Sequence, residues 1–326
     1  MANTVVDGIP SKARSFSEKE STCKYLFNEA KRTLGPFWHV CTPGNLTEIL
    51  NVTDEDFKFA VSNMAFSAYE SGLKVVTDQQ MENHLHGLLA GAKEKIDVFL
   101  ECYRFRLQKH LQAQGRTVDL RNFKCDNPIL IEDLEMIRTE IAYINRNGYV
   151  GNPRFVPFSY PWGGGSLYFN PYAQREVGIP FNDIPYKEKR KMTFRRVETL
   201  PDGYKVKDGM ILPASYVKYE LGQSMFRDSH HYFSMLAKNV EAYCAEAKRL
   251  GDNDVLSREE MYPAVKTACV QRYNIDQPSM LAPEAKLEMA RTMHYDFHAT
   301  NAQIRSILSL DEDYVNSLFP LSAHKR

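Results

Sequence analysis

Residues Met81-Glu82-Asn83-His84-Leu85-His86 lead into an apolar run that ends at Ala90, and they put two histidines one residue apart. In an extended segment, side chains at i and i+2 point to the same side. His84 and His86 then stand together, with Leu85 and Leu89 facing the other way. Two adjacent imidazoles are either a pair of metal ligands or two polar residues at strand spacing, and the pair alone does not choose between them. A second set of reactive side chains lies in "EDLEMIRTEIAYINRNG", which carries Leu134, Ile137, Ile141 and Ile144 at helical spacing. Tyr143 and Asn147 are four apart and share another face of that helix, and Glu140 is three before Tyr143 and near the same face. A phenol and an amide aligned in this way can both point toward the sheet that carries His84 and His86.

Positioning these groups requires a sheet with that helix against it. "PFWHVCTP" (36–43) reads as a strand ended by Pro43 and Gly44. Residues 53–72 read as a helix, with Thr53 as cap, Asp56 at capping-box spacing and Gly72 after the last turn. Phe57, Ala60, Val61, Met64, Ala65, Ala68 and Tyr69 form its buried face. Residues 73–80 and 83–90 read as a hairpin. Residues 92–112 read as an amphipathic helix whose basic side is Arg104, Arg106 and Lys109. A fourth extended segment (122–131) follows, and then a third helix over 132–147 that stops at Gly148. The order predicts an α+β fold, a ferredoxin-like split βαβ antiparallel sheet with helices on one face.

The motifs resemble those of the single-tyrosine HUH transposases, most closely the REP-associated tyrosine transposases. That family carries a Met-Pro-Asn-His-x-His run entering a Leu-rich strand, which here is Met81 to His86. Its Tyr-Ile-x-x-Asn-Pro helix corresponds to Tyr143-Ile144-Asn145-Arg146-Asn147-Gly148, and its Tyr-Pro-Trp motif to Tyr160-Pro161-Trp162. Glu82 and Gly148 stand where the family has proline. The similarity covers 36–163 and implies the HUH endonuclease fold.

The resemblance implies cleavage and rejoining of single-stranded DNA, at hairpins formed by imperfect palindromes. His84, His86 and Asn147 would hold Mg²⁺ or Mn²⁺ as a Lewis acid at a phosphate oxygen. Tyr143 would attack phosphorus, forming a 5′-phosphotyrosine and releasing a 3′-OH. A free phenol ionises near about pH 10 and is a poor nucleophile at neutrality. Helical spacing, rather than the family pattern, offers Glu140 as a group that helps deprotonate or align it.

Arg104, Arg106, Lys109 and the basic cluster Lys187, Lys189, Arg190, Lys191, Arg195 and Arg196 are the candidate phosphate contacts. Phe158, Tyr160 and Trp162 are the candidates for base stacking. The organisation expected is an N-terminal extension (1–35), the transposase-like domain (36–163), a basic irregular connector (164–220) and a helical region (221–326). Within the last, 284–319 has the pattern of a helix-turn-helix, although Glu312 and Asp313 leave the recognition position acidic. His39 reads as packing, His230 and His231 as structural, and His294 and His298 as solvated or helix-end residues.

Composition is that of a globular chain, 43% apolar and 25% charged, and the formal net charge of zero means that any nucleic-acid site must be a local patch. Cysteines 23, 41, 102, 125, 244 and 269 form no C-x-x-C pair, which fits free thiols in a reduced cytoplasmic protein; the transposase resemblance implies that it would be nucleoid-associated. No stretch reads as a membrane span or a secretory signal, so no membrane partner is expected. The oligomeric state stays open, a homodimer included. Two other functions fit the same residues: a non-catalytic binder of nucleic-acid hairpins, and a metal-independent ferredoxin-like RNA endonuclease.

Overall fold

The computed structural model describes residues 15–44, 47–150, 159–194, 199–236, 258–295, 297 and 299–320. Helix α1 (Phe16–Leu34) precedes strand β1 (Phe37–Cys41). Then come α2 (Asp54–Ser71), β2 (Lys74–Gln80), β3 (Leu85–Ala90), α3 (Glu94–Ala113), β4 (Ile129–Ile131) and α4 (Leu134–Val150). The sheet order is β2-β3-β1-β4, with every neighbouring pair antiparallel. It follows that β1 and β2 run the same way with β3 between them, and β3 and β4 run the same way with β1 between them. The turn between β2 and β3 closes through the Met81 N–H, which donates to the His84 carbonyl at 2.9 Å.

Both faces of the sheet are covered, which corrects the expectation of helices on one face only. Trp38, Val40, Val75, Leu85 and Leu89 pack with α2 and α3. Phe37, Val76, Leu88, Ala90 and Ile131 pack instead with α1 and α4. The alternation of in and out along each strand therefore divides the domain into two apolar layers. His39 and Cys41 share a side with Phe37, and His86 shares one with Leu88, so all three face α4.

Local sequence sets the helix ends. Thr53 accepts the Asp56 N–H and the Asp56 carboxylate accepts the Thr53 N–H, so the expected capping box is present. Ser15 and Glu18 do the same for α1. Gly148 does not end α4, which continues through Val150. A Cβ at 148 would come within 2.4 Å of the Tyr160 ring, so a glycine is needed here for close packing, not for a helix stop. Arg138 ties α4 to its surroundings: it is buried, forks onto the Glu20 carboxylate at 2.6 and 3.0 Å and donates to the Met225 carbonyl at 2.6 Å.

The segment expected as an irregular connector is built into the same body. It holds α5 (Pro171–Gln174), β5 (Ile179–Pro180), α6 (Tyr186–Thr193), β6 (Lys205–Lys207) and β7 (Met210–Ile211). Its residues Phe181, Met192, Val206 and Ile211 enter the α2/α3 core. Helix α7 (Tyr219–Ser224) follows and packs on β2, and α8 (Ser229–Leu236) packs on α4. The edge of β2 is covered by backbone from 162–164 and by Lys218, whose N–H donates to the Val75 carbonyl at 2.7 Å. Beyond these lie α9 (Arg258–Tyr273), α10 (Pro283–Tyr295), α11 (Asn301–Leu308) and α12 (Glu312–Leu318). They form their own core of Met261, Met289, Met293, Ile304, Leu308 and Val315. Among the described residues no helix is long and apolar enough to cross a membrane.

Candidate metal and nucleophile site

The histidines of the sheet and the tyrosine of α4 meet. Register places Cys41 of β1 directly opposite His86 of β3, and Gln79 of β2 opposite His86 on its other side. His84 sits just before β3. Tyr143 is buried on α4, with its ring 5.8 Å from that of His86 and 6.0 Å from that of His39, edge-on to both. Asn147, one turn further along α4, is also fully buried.

Ring nitrogens link the imidazoles in series. Glu140 Oε2 lies 3.3 Å from His39 Nδ1, with both groups buried. His39 Nε2 lies 3.2 Å from His86 Nδ1, and His86 Nε2 lies 3.2 Å from His84 Nε2. His84 Nδ1 lies 2.7 Å from Asn83 Oδ1. The orientation of the Asn83 amide is set by its other end, where Nδ2 donates to the Gly44 carbonyl at 2.7 Å. Asn83 Oδ1 must therefore accept, so His84 carries a proton on Nδ1 and turns Nε2 toward His86.

A metal ion fits this chemistry. His39, Cys41 and His86 offer one ligand atom each, all within 4.8 Å of one another. Cys41 Sγ lies 4.0 Å from His86 Nε2, on the side where His84 also points. His39 and Cys41 are functional candidates that reading the sequence as packing and scattered thiols missed. The signal was present as a second His-x-short-residue pattern, His39-Val40-Cys41, on a neighbouring strand.

Other polar groups line the same side. Asn145 accepts from the Thr77 hydroxyl and donates to Tyr232 Oη at 3.0 Å, so its position in the tyrosine motif joins α4 to β2 and α8. Gln79 is fully buried, and neither atom of its amide has a hydrogen-bond partner among the described residues. It lies against the glycine run that follows Trp162. Gly163 has φ +152°, and a Cβ there would come 2.3 Å from the Asp78 carbonyl, so only glycine fits. Asp78 points to the other face, where it accepts from Gln80 at 3.0 Å, from the Gly164 N–H at 3.1 Å and from Tyr216 Oη at 3.2 Å. Burial outweighs these hydrogen bonds and pushes its carboxyl up to about 7.

The expected phosphate contacts do not gather here. Arg106 is fully buried: it pairs with Glu70 and donates to the carbonyls of Thr193 at 3.1 Å and Cys102 at 3.2 Å. Its position on the helix faces α2, so it is a structural clamp and not a surface cation. Arg104 and Lys109 lie on the same α3, and Lys187, Lys189, Arg190 and Lys191 lie on α6, which packs on α2. The sheet thus separates all six from Tyr143. Lys189 is further engaged, donating to the Asn182 carbonyl at 2.7 Å. Trp162 is half-buried and stacks on Phe57 at 5.3 Å, and Tyr160 is buried with its hydroxyl on the Gln80 carbonyl at 2.7 Å. Arg195, Arg196, Phe158 and His298 lie outside the described residues.

His294 lies in the last turn of its helix, as the helix-end alternative expected, but it is not solvated: it is buried, stacks on Phe319 at 4.0 Å, and burial with the nearby Arg146 charge pulls its imidazole down to about 4. The three helices α10–α12 occur where the helix-turn-helix pattern predicted them. Glu312 in α12 pairs with Arg305 of α11, which leaves that face without excess positive charge. No protein-family model, curated protein or solved structure matches the chain.

Proposed function

We propose that the protein cleaves and rejoins single-stranded DNA by metal-dependent transesterification, in the manner of the single-tyrosine HUH transposases its motifs resemble. The observation that carries this reading is the edge-on approach of Tyr143 to His86 at 5.8 Å, across an interface between α4 and the sheet. A βαββαβ order with strand order β2-β3-β1-β4 supports the ferredoxin-like form of the HUH domain. His84, His86 and Asn147 would hold Mg²⁺ or Mn²⁺, and the imidazole pair admits manganese because magnesium prefers oxygen ligands. When bound, such an ion supplies Lewis-acid polarisation of a phosphate oxygen.

The chain's own residues would do the rest. Tyr143 Oη attacks phosphorus, and its phenolic proton leaves to water or a neighbouring base. The bond to the 3′ oxygen breaks, leaving a 5′-phosphotyrosine and a free 3′-OH. Tyr143 belongs to the same buried apolar cluster as Ile137, Ile141 and Ile144, which anchors that stretch of α4 against the sheet. The exposed cations of α3 and α6 would serve flanking or hairpin DNA, since the sheet stands between them and the scissile phosphate.

Incubation with labelled hairpin DNA and Mn²⁺ tests the reading. The expected product is a protein–DNA adduct that Tyr143→Phe abolishes and EDTA prevents. The burial of Tyr143, 1% exposed, favours a second reading, a non-catalytic hairpin-binding protein. DNA binding without an adduct in any metal would support that second reading and reject the first.

A further inference from the structure

We infer that the cavity between α2, α6 and the β6–β7 hairpin is a second binding site, for a small neutral aromatic molecule that carries one N–H or O–H donor. It lies on the α2/α3 side of the sheet, away from Tyr143, and does not depend on the DNA chemistry proposed above. Its volume is about 690 Å³, within the roughly 300–1,000 Å³ of small-molecule sites. Phe59, Ile184, Met192 and Val206 line it, and each belongs to the buried core. The mouth is apolar as well, where Val177 and Ile179 are 81% and 59% exposed. Apolar side chains at the lips of an apolar cavity are surface that an occupant covers.

His110 of α3 supplies the acceptor. It joins the lining with its ring flat on that of Phe59, 4.0 Å between centroids. Its Nε2 donates to Asp56 Oδ1 at 2.8 Å, and Gln114 Nε2 donates to the same oxygen at 2.6 Å. Burial opposes ionisation of Asp56, but these bonds and the N–H groups of Thr53 and Val52 outweigh it and hold the carboxyl well below its usual range. Asp56 therefore accepts, which fixes a His110 proton on Nε2. Burial holds the imidazole below its own usual range, so near neutrality Nδ1 carries a lone pair. No hydrogen bond from the described residues reaches Nδ1. Ser62, the other neutral polar side chain of the lining, is engaged: it donates to the Lys58 carbonyl at 2.9 Å and accepts the Ile211 N–H at 3.0 Å. Charge on the lining selects no ion. Glu55, Glu188 and Asp208 balance Lys58, Lys191 and Lys207. Lys58 and Lys207 are already paired, with Glu55 and Glu176. An uncharged ring with a single donor matches one free acceptor among apolar walls, whereas a nucleotide brings a phosphate and several base-edge groups that find no match.

The test titrates the full chain with the neutral fluorophore phenylindole and with its N-methyl analogue, which has the same rings and no donor. Phenylindole is expected to bind roughly 3- to 10-fold tighter, the equivalent of one hydrogen bond. It should also shift the ¹⁵N resonance of His110 Nδ1, which the analogue leaves in place. Val206→Phe fills the cavity and Val177→Asp puts a charge at its mouth, and each is expected to weaken phenylindole. Val177 lies outside the core, so its variant separates lost binding from lost folding. No binding of either compound, or binding unchanged in both variants, would overturn the site. Equal affinity for the two compounds would overturn the part given to His110. Displacement of phenylindole by thymidine monophosphate would make this a nucleotide site and reject the neutral ligand.

Discussion

Gly148, inside α4, lies directly on the ring of Tyr160: a Cβ added there would stand 2.4 Å from Cδ1 and 2.6 Å from Cγ. Tyr160 cannot swing freely, because its hydroxyl is held by the Gln80 carbonyl at 2.7 Å. Gly148→Ala must therefore displace the last turns of α4, which carry Asn147. Overpacking of this kind costs about 1–3 kcal/mol. Denaturant unfolding should show that loss, and Tyr160→Ala in the same chain should recover part of it. An alanine tolerated without loss would mean that the two elements separate easily.

Asp78 should make stability fall as pH rises. Burial raises its folded carboxyl to about 7, whereas the unfolded side chain ionises near 3.8. Between those values unfolding releases a proton. The contribution is therefore complete below the lower value and is lost as pH climbs to the upper one. The size is on the order of a few kcal/mol. Asp78→Asn keeps an oxygen for Gly164 and Tyr216 and cannot ionise. Unfolding midpoints taken from pH 4 to pH 8 should decline less in the variant, and parallel curves would refute the assignment.

Gln79 pairs a stability penalty with a position beside His86. Both of its amide atoms are buried without a partner among the described residues. An unsatisfied buried group costs about 1–3 kcal/mol, so Gln79→Met should raise the thermal midpoint. If the amide meets substrate, the same variant forms less DNA adduct while still binding Mn²⁺. A more stable variant with wild-type adduct yield would assign Gln79 no part in the chemistry.

Arg106 should behave as core. Its guanidinium is fully buried between Glu70, Cys102 and Thr193. Removing one partner of a buried ion pair costs about 3–5 kcal/mol. Arg106→Ala is thus expected to lower the unfolding midpoint in urea. Where the variant stays folded, the salt dependence of DNA binding should be unchanged, because no phosphate contact is lost. A shallower salt slope would show that the side chain reaches DNA after all.

Much of the frame was legible in the chain itself. Apolar periodicity located α2, α3 and the β2–β3 hairpin, and Thr53 with Asp56 marked a helix start that the capping box bears out. These are local signals, set by side-chain spacing and by backbone groups within one turn. The His84-x-His86 spacing and the Tyr143 face were local too. Three-dimensional packing decided what local pattern cannot carry. It set α4 against the sheet face opposite α2 and α3. It also turned Arg106 inward, because Glu70 and the carbonyls of Cys102 and Thr193 converge on it from separate elements. Gly148 became a contact point rather than a stop, since Tyr160 packs on it from beyond the helix. His39 and Cys41 joined the site only because antiparallel register sets β1 beside β3, with Cys41 opposite His86. Spacing along one strand is written in the sequence, whereas the partner of a residue across strands is chosen by the register of the whole sheet.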